Sequence, residues 1–166
     1  RRIALLGRSA ARADQRAAIE RLRARGAQVL TLQTDVADPQ QVQQAIATVE
    51  RELGALSGAI HAAGLLDDAM LPGQDAARFA RALAPKTGGA WNLHVALRSR
   101  PGAILVLFSS VAALLGLPGQ ANYAAANAGL DALARWRVAR GARAISINWG
   151  PWGEIGMAAQ SERRGA

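Results

Sequence analysis

Residues able to do chemistry are concentrated in the second half of the chain. An apolar run, Ile104 to Phe108, ends in two hydroxyls, Ser109 and Ser110, and thirteen residues after Ser110 comes Tyr123, the chain's only tyrosine. Asn127 follows four residues later, which on a helix puts it on the same face as the tyrosine. The chain holds one lysine, Lys86, among 20 basic residues, so a general preference for basic residues does not account for lysine at that position. A hydroxyl, a phenol and an ammonium suit the reduction of a carbonyl. Tyrosine, with an ordinary pKa of about 10, is a poor acid at neutral pH, and a nearby ammonium favours its anionic form. Such a phenol can protonate a carbonyl oxygen, while a serine hydroxyl donates to the same oxygen and fixes its orientation as charge develops. The hydride must come from a cofactor. Each residue also has a plainer reading: Tyr123 as a core ring at a helix start, Lys86 as a surface charge capping a helix.

The elements that must position these groups are legible as alternating strands and helices. Ile3 to Leu6, Gln28 to Leu32, Leu56 to His61, Ile104 to Phe108 and Ala144 to Asn148 are short apolar runs, each predicting a strand. Between them helical spacing predicts helices over Asp14 to Arg25 (closed by Gly26), Pro39 to about Leu53 (capped by Asp38), Ala76 to Leu83, Thr87 to Arg98 and Asn122 to Arg140, with a loop after Glu154. Strands that are continuously apolar and separated by helices indicate a parallel sheet covered on both faces, a doubly wound α/β domain. Ligands in such sheets sit outside the carboxyl ends of the strands. Arg8, Asp35, Ala63-Gly64, Ser110 and Gly150-Pro151 each follow directly on one of these runs. Gly64, Gly150 and Pro151 alone read equally well as ordinary turn residues.

Composition removes other classes. At 166 residues and 51% apolar, the chain is one domain long with enough apolar volume for a core. No apolar stretch approaches the roughly 20 residues of a membrane-spanning helix, and the N-terminus lacks a secretory layout, so a cytoplasmic location is expected. Zero cysteines and two scattered histidines, His61 and His94, argue against a metal site. The net charge of +8 invites a nucleic-acid reading, but its arginines are spread through helical segments without aromatic platforms, as on a solvated helix face.

Seven stretches carry a family resemblance: Leu5-Leu6-Gly7-Arg8-Ser9, Thr34-Asp35-Val36-Ala37-Asp38, His61-Ala62-Ala63-Gly64, Pro85-Lys86-Thr87-Gly88-Gly89-Ala90, Leu107-Phe108-Ser109-Ser110, the run from Gly119 to Asn127, and Asn148-Trp149-Gly150-Pro151-Trp152. In this order and spacing the chain resembles the short-chain dehydrogenase/reductase superfamily, and within it the ketoreductase domains of modular type I polyketide synthases. The resemblance implies a Rossmann-like fold, NADPH as cofactor and a catalytic tetrad of Lys86, Ser110, Tyr123 and Asn127. Lysine upstream and asparagine four after the tyrosine is the exchanged order of these ketoreductases. By the same resemblance Arg8 faces the adenosine 2′-phosphate, where an arginine favours NADPH over NADH, and Ser9 beside it also binds the cofactor. Asp35 and Val36 flank the adenine, Ala62, Ala63 and Gly64 pass beneath the ribose and nicotinamide, Lys86 and Tyr123 also touch the cofactor, and Gly150 and Pro151 lie against the nicotinamide.

Stereochemistry is implied only by analogy. Leu66-Asp67-Asp68 resembles the Leu-Asp-Asp motif of B-type ketoreductases, which make the D-configured hydroxyl, and Leu115 stands where A-type members carry tryptophan. Pro118 and Asn122 also fit the B-type pattern, Gln120 is implied as a further substrate or stereocontrol residue, and Ala126 points to the subgroup that leaves the α-carbon unepimerised. Asp67-Asp68 also reads as a plain polar loop. The family opens with a strand and a Gly-rich turn that cradles the pyrophosphate, and this chain carries neither before Arg1. The expectation is therefore a segment of a longer synthase that lacks the first strand, which would lie between the runs Ile3 to Leu6 and Leu56 to His61, and lacks the last strand. Its expected substrate is a β-ketoacyl chain on an acyl carrier protein, with other synthase domains as partners. A non-reducing epimerase and a structural pseudo-ketoreductase domain are the alternatives.

Overall fold

In the computed structural model, which describes residues 1–152, each apolar run forms a strand that is followed by at least one helix until the last. β1 (Arg2–Gly7), β2 (Gln28–Gln33), β3 (Gly58–His61), β4 (Ile104–Ser110) and β5 (Ala144–Trp149) alternate with α1 (Ala13–Ala24), α2 (Pro39–Leu53), α3 (Ala76–Leu83), α4 (Gly89–Leu97), the single turn α5 (Ala112–Leu115) and α6 (Ala121–Val138). The helix boundaries have local causes. Asp38 accepts from the backbone N–H groups of Gln40 and Gln41 at 2.8 and 3.1 Å, and Pro39 occupies the first turn of α2, where its missing N–H costs nothing. Gly26, with φ of 81°, ends α1 in a left-handed conformation that glycine adopts without penalty.

All strand pairs are parallel, in two separate sheets. β1 pairs with β2, from Arg2 opposite Gln28 to Gly7 opposite Gln33. β4 is the centre of the second sheet, with β3 on one side and β5 on the other, Ser110 standing opposite Trp149. Among the described residues β1 and β3 each keep one edge without a strand partner. A parallel arrangement sends every strand's carboxyl end to the same side of its sheet, so the groups following the strands gather there.

The core forms where α4 and α6 cover the second sheet, with α2 packed against α4 and the first sheet. Val42, Ile46, Leu93, Leu97, Leu105, Leu107 and Leu130 make one buried cluster, with Leu105 and Leu107 of β4 fully inaccessible. Burial of each such side chain is worth about 1.5–3 kcal/mol, so the strand that ends at Ser110 is firmly anchored in the core. Two departures from the predicted elements bear on the site. The helix predicted from Thr87 starts at Gly89, and Lys86 lies in a π-helical turn, Ala84–Gly88, that links α3 to α4. A 3-10 turn, Leu71–Gly73, and α5 interrupt segments that carry no periodic signal. No helix among the described residues is long and apolar enough to cross a membrane. The loop expected after Glu154 lies outside the described residues.

Candidate active site

Lys86 reaches its position through the π-helical turn. The extra residue per turn directs the side chain inward, and the lysine is 3% exposed. Its Nζ donates to the Phe108 carbonyl at 3.0 Å, on β4 just before the serines, and lies 5.3 Å from the centroid of the Tyr123 ring. The plainer reading of Lys86 as an exposed capping charge is thereby overturned. Burial pushes its pKa down to about 8, against the opposing pull of the Asp131 carboxylate. The turn is fastened from two sides. His61, at the end of β3 and 2% exposed, places Nε2 2.9 Å from the Lys86 carbonyl, and the Thr87 hydroxyl donates to the Ala126 carbonyl on α6 at 3.0 Å. Burial, with the Lys86 charge acting in the same sense, holds the His61 pKa down at about 4, so this ring is neutral near pH 7 and donates its Nε2 proton to that carbonyl.

α6 carries Tyr123, Asn127 and Asp131 at successive four-residue steps, one face of one helix. Tyr123 is half-buried at the helix start, its backbone N–H donating to Asn122 Oδ1 at 2.8 Å. Asn127 is fully buried. Its Nδ2 donates to the Tyr123 carbonyl at 2.8 Å, and its Oδ1 has no partner, an acceptor held ready inside the protein. Ser110, at the tip of β4, is half-buried, and its Oγ accepts from the Ala112 N–H at 3.2 Å, which leaves the hydroxyl proton free to donate elsewhere.

Ser109 and Asp131 were not singled out from sequence, yet they lock α6 onto the sheet. The buried Ser109 hydroxyl donates to the Asn127 carbonyl at 3.2 Å. Asp131 accepts from Ser146 Oγ at 2.5 Å and from Asn148 Nδ2 at 2.9 Å, and Asn148 Nδ2 also reaches Ser109 Oγ and the Ser110 carbonyl, each at 3.2 Å. The signal available was the polar step continued by one more turn from Tyr123 through Asn127.

The cofactor-side residues follow the strand ends. Arg8 and Ser9, just after β1, are exposed, and no carboxylate among the described residues lies in ion-pair range of Arg8. Asp35 is folded back on its own turn, Oδ1 accepting from the Ala37 N–H at 2.9 Å, while the Val36 carbonyl accepts from Asn92 on α4 at 2.9 Å. Gly89 is what lets these segments meet: a Cβ there would stand 2.8 Å from Val36 Cγ2 and 3.1 Å from His61 Cε1. The ends of β2 and β3 are thus brought against the start of α4, three residues from Lys86. Ala62, Ala63 and Gly64 follow β3 without regular structure, and Gly150 and Pro151 follow β5 on the surface.

The Leu66-Asp67-Asp68 segment is more than a polar loop. Asp67 is ion-paired with both Arg78 and Arg81 of α3, Arg81 at 2.7 Å. Asp68 Oδ2 accepts from Gln120 Nε2 at 2.8 Å, and fully buried Asn122 donates to the Asp67 carbonyl at 2.8 Å. Asn122 therefore joins this segment to the backbone of Tyr123. Leu115 projects into solvent at 79% exposure, Pro118 is exposed, and Ala126 is fully buried under Thr87.

The arrangement is that of an α/β protein with a buried ammonium beside a phenol ring, and a serine hydroxyl at the tip of the strand whose Phe108 carbonyl holds that ammonium. Residues 1–154 match the family model described as KR domain, and the chain belongs to that family. The phthioceranic/hydroxyphthioceranic acid synthase of Mycobacterium tuberculosis is 41% identical over 156 residues, which cover 94% of this chain and 7% of that protein. The ketoreductase from the first module of phoslactomycin biosynthesis in Streptomyces sp. HK803 superposes with a TM-score of 0.87 at 37% identity, covering 98% of this chain and 38% of that one. A structure of an A1-type ketoreductase gives the same TM-score at 34% identity, covering 99% of this chain and 35% of the other. The chain spans less than a tenth of the length of the curated relatives it matches.

Proposed function

We propose that the chain is the catalytic part of a polyketide-synthase ketoreductase, reducing a β-ketoacyl thioester on an acyl carrier protein to the 3-hydroxyacyl thioester with NADPH. The observation that carries this reading is the buried Lys86 ammonium beside the Tyr123 ring, on a helix whose Asn127 keeps an unpaired buried oxygen. In the proposed reaction Ser110 donates a hydrogen bond to the β-keto oxygen and fixes its orientation. Tyr123 Oη gives its proton to that oxygen as negative charge builds there, and the Lys86 ammonium stabilises the phenolate left behind. Asn127 Oδ1 accepts from the donor that returns a proton toward Lys86 and Tyr123. NADPH, when bound, supplies the hydride that converts the carbonyl carbon to the carbinol.

The residues present fit the two ends of that cofactor. Arg8, exposed and without an acidic partner among the described residues, suits the 2′-phosphate. Val36 suits one face of the adenine, and Ala62 to Gly64, with Gly150 and Pro151, are small or compact residues at strand ends that suit the ribose and nicotinamide. The Gly-rich pyrophosphate cradle is not among this chain's residues. In this reading a further strand with that turn fills the space between the unpaired edges of β1 and β3. The product expected is the D-alcohol, supported by the Asp67-Asp68 segment tied through Asn122 to Tyr123. Resolving the product of a β-ketoacyl thioester on a chiral column tests this: a D-alcohol is expected. An L-alcohol would overturn the B-type assignment, and an inverted α-centre with the ketone retained would replace reduction by epimerisation.

A further inference from the structure

At the end of α6 far from Tyr123, α4 and α6 leave between them a recess of about 520 Å3. It is closed by Pro101 and Ala142, in the loops that lead into β4 and β5. Those loops precede their strands, so the recess opens on the opposite edge of the sheet from Ser110, and Arg137 in its wall is about 21 Å along α6 from Tyr123 at 1.5 Å per residue. Nothing in the proposed reaction uses it.

Arg137 is the unusual group. It is 3% exposed, yet its guanidinium meets only uncharged acceptors. Nη1 donates to His94 Nδ1, Nη2 reaches the Arg143 carbonyl at 3.4 Å, and the buried Nε has no partner. Among the described residues no carboxylate stands within ion-pair distance of it. A buried cation without a counter-charge is costly, and an anion brought to it relieves that cost. The surroundings add to the deficit: Arg98 and Arg140 line the same recess, while Arg100 is taken up by Glu50. The walls are aromatic. Trp91 and Trp136, 48% and 37% exposed, pack around His94 with ring centroids 5.0 and 5.2 Å away, and the Arg140 guanidinium lies 4.1 Å from the Trp136 ring. Exposed tryptophan beside arginine is the composition that carries most of the energy of protein interfaces.

We propose that this recess is a docking site for an acidic segment of a protein partner, which inserts an aspartate or glutamate carboxylate against Arg137 and lays an apolar neighbour on Trp91 and Trp136. A second copy of this chain, at +8, brings arginines against arginines. A lipid surface is flat, and the guanidinium is set back between two helices. The proposal does not depend on the reductase reading.

The test follows the indole N–H signals of Trp91 and Trp136 by NMR in the full chain. The probes are an end-blocked Glu-Leu-Glu-Glu-Leu peptide, its Gln-for-Glu counterpart, sodium acetate, and phosphatidylserine-containing vesicles. The Glu peptide should shift both signals saturably, and the Gln peptide should bind at least about tenfold more weakly. Arg137→Gln should abolish that discrimination. Arg140→Gln, at an exposed rim position, should weaken the Glu peptide severalfold with the far-UV circular dichroism unchanged. Equal response to the two peptides, saturation by acetate with nothing gained from the peptide (an adventitious ion only), response to vesicles alone, or no response to any probe would each overturn the proposal.

Discussion

Lys86 shows what the site costs. Its pKa of about 8 lies below the ordinary lysine value of 10.5, so the unfolded chain holds this proton more tightly than the folded one. By linkage the cost is fully present below about pH 8 and is relieved as the pH climbs toward 10.5, where both states lose the proton. It amounts to on the order of 3 kcal/mol at neutral pH, partly offset by the bond from Nζ to Phe108. Lys86→Met should therefore remove the rise in stability between pH 8 and 10.5, read as the pH dependence of thermal denaturation, while abolishing reduction. Identical pH slopes in the two proteins would mean that the lysine is not buried as described. That Lys86 is exceptional was legible from its being the only lysine. That it is buried was not, because burial depends on a π-helical turn that sequence periodicity does not announce.

Among the elements, the contact between the Lys86 turn and α6 sets the geometry of the site. A Cβ at Gly129 would stand 2.7 Å from Thr87 Oγ1 and 2.9 Å from Thr87 Cγ2. Thr87 is short, β-branched and bound to Ala126, so it has little freedom to move aside. Gly129→Ala should push the turn away from the helix, costing about 1–3 kcal/mol of stability and lowering kcat more than it raises KM for the ketoacyl substrate. Unchanged kcat would show that the spacing of Lys86 and Tyr123 is not critical. The strand and helix order was readable because buried parallel strands are apolar throughout and their helices carry caps such as Asp38 and Gly26. Tyr123 and Asn127 were readable from their spacing. Asp131 was passed over because a lone acidic residue inside an arginine-bearing helix reads as solvated surface, and only the fold brings Ser146 and Asn148 to it. The partners of Asp67 were hidden for the same reason, since Arg78 and Arg81 look like ordinary helix-surface charges.

At the scale of the whole molecule, the split into β1-β2 and β3-β4-β5 leaves β1 and β3 each with an edge that no described strand covers, and no Gly-rich turn for the pyrophosphate stands among the described residues. Binding of NADPH by the 166-residue chain alone should accordingly be weak or undetectable by fluorescence titration, and ordinary micromolar affinity would refute that. The contacts that set Lys86 beside Tyr123, and Asn127 one turn further along α6, are made by contrast among the described residues. The central claim is that these four form a carbonyl-reducing site. It is tested most directly by following NADPH oxidation with a β-ketoacyl thioester in the complete ketoreductase domain and in its Tyr123→Phe variant. Loss of a positioned proton donor should lower turnover at saturating NADPH by about 10²–10⁴-fold. Turnover in the variant equal to that of the unaltered domain would contradict the account.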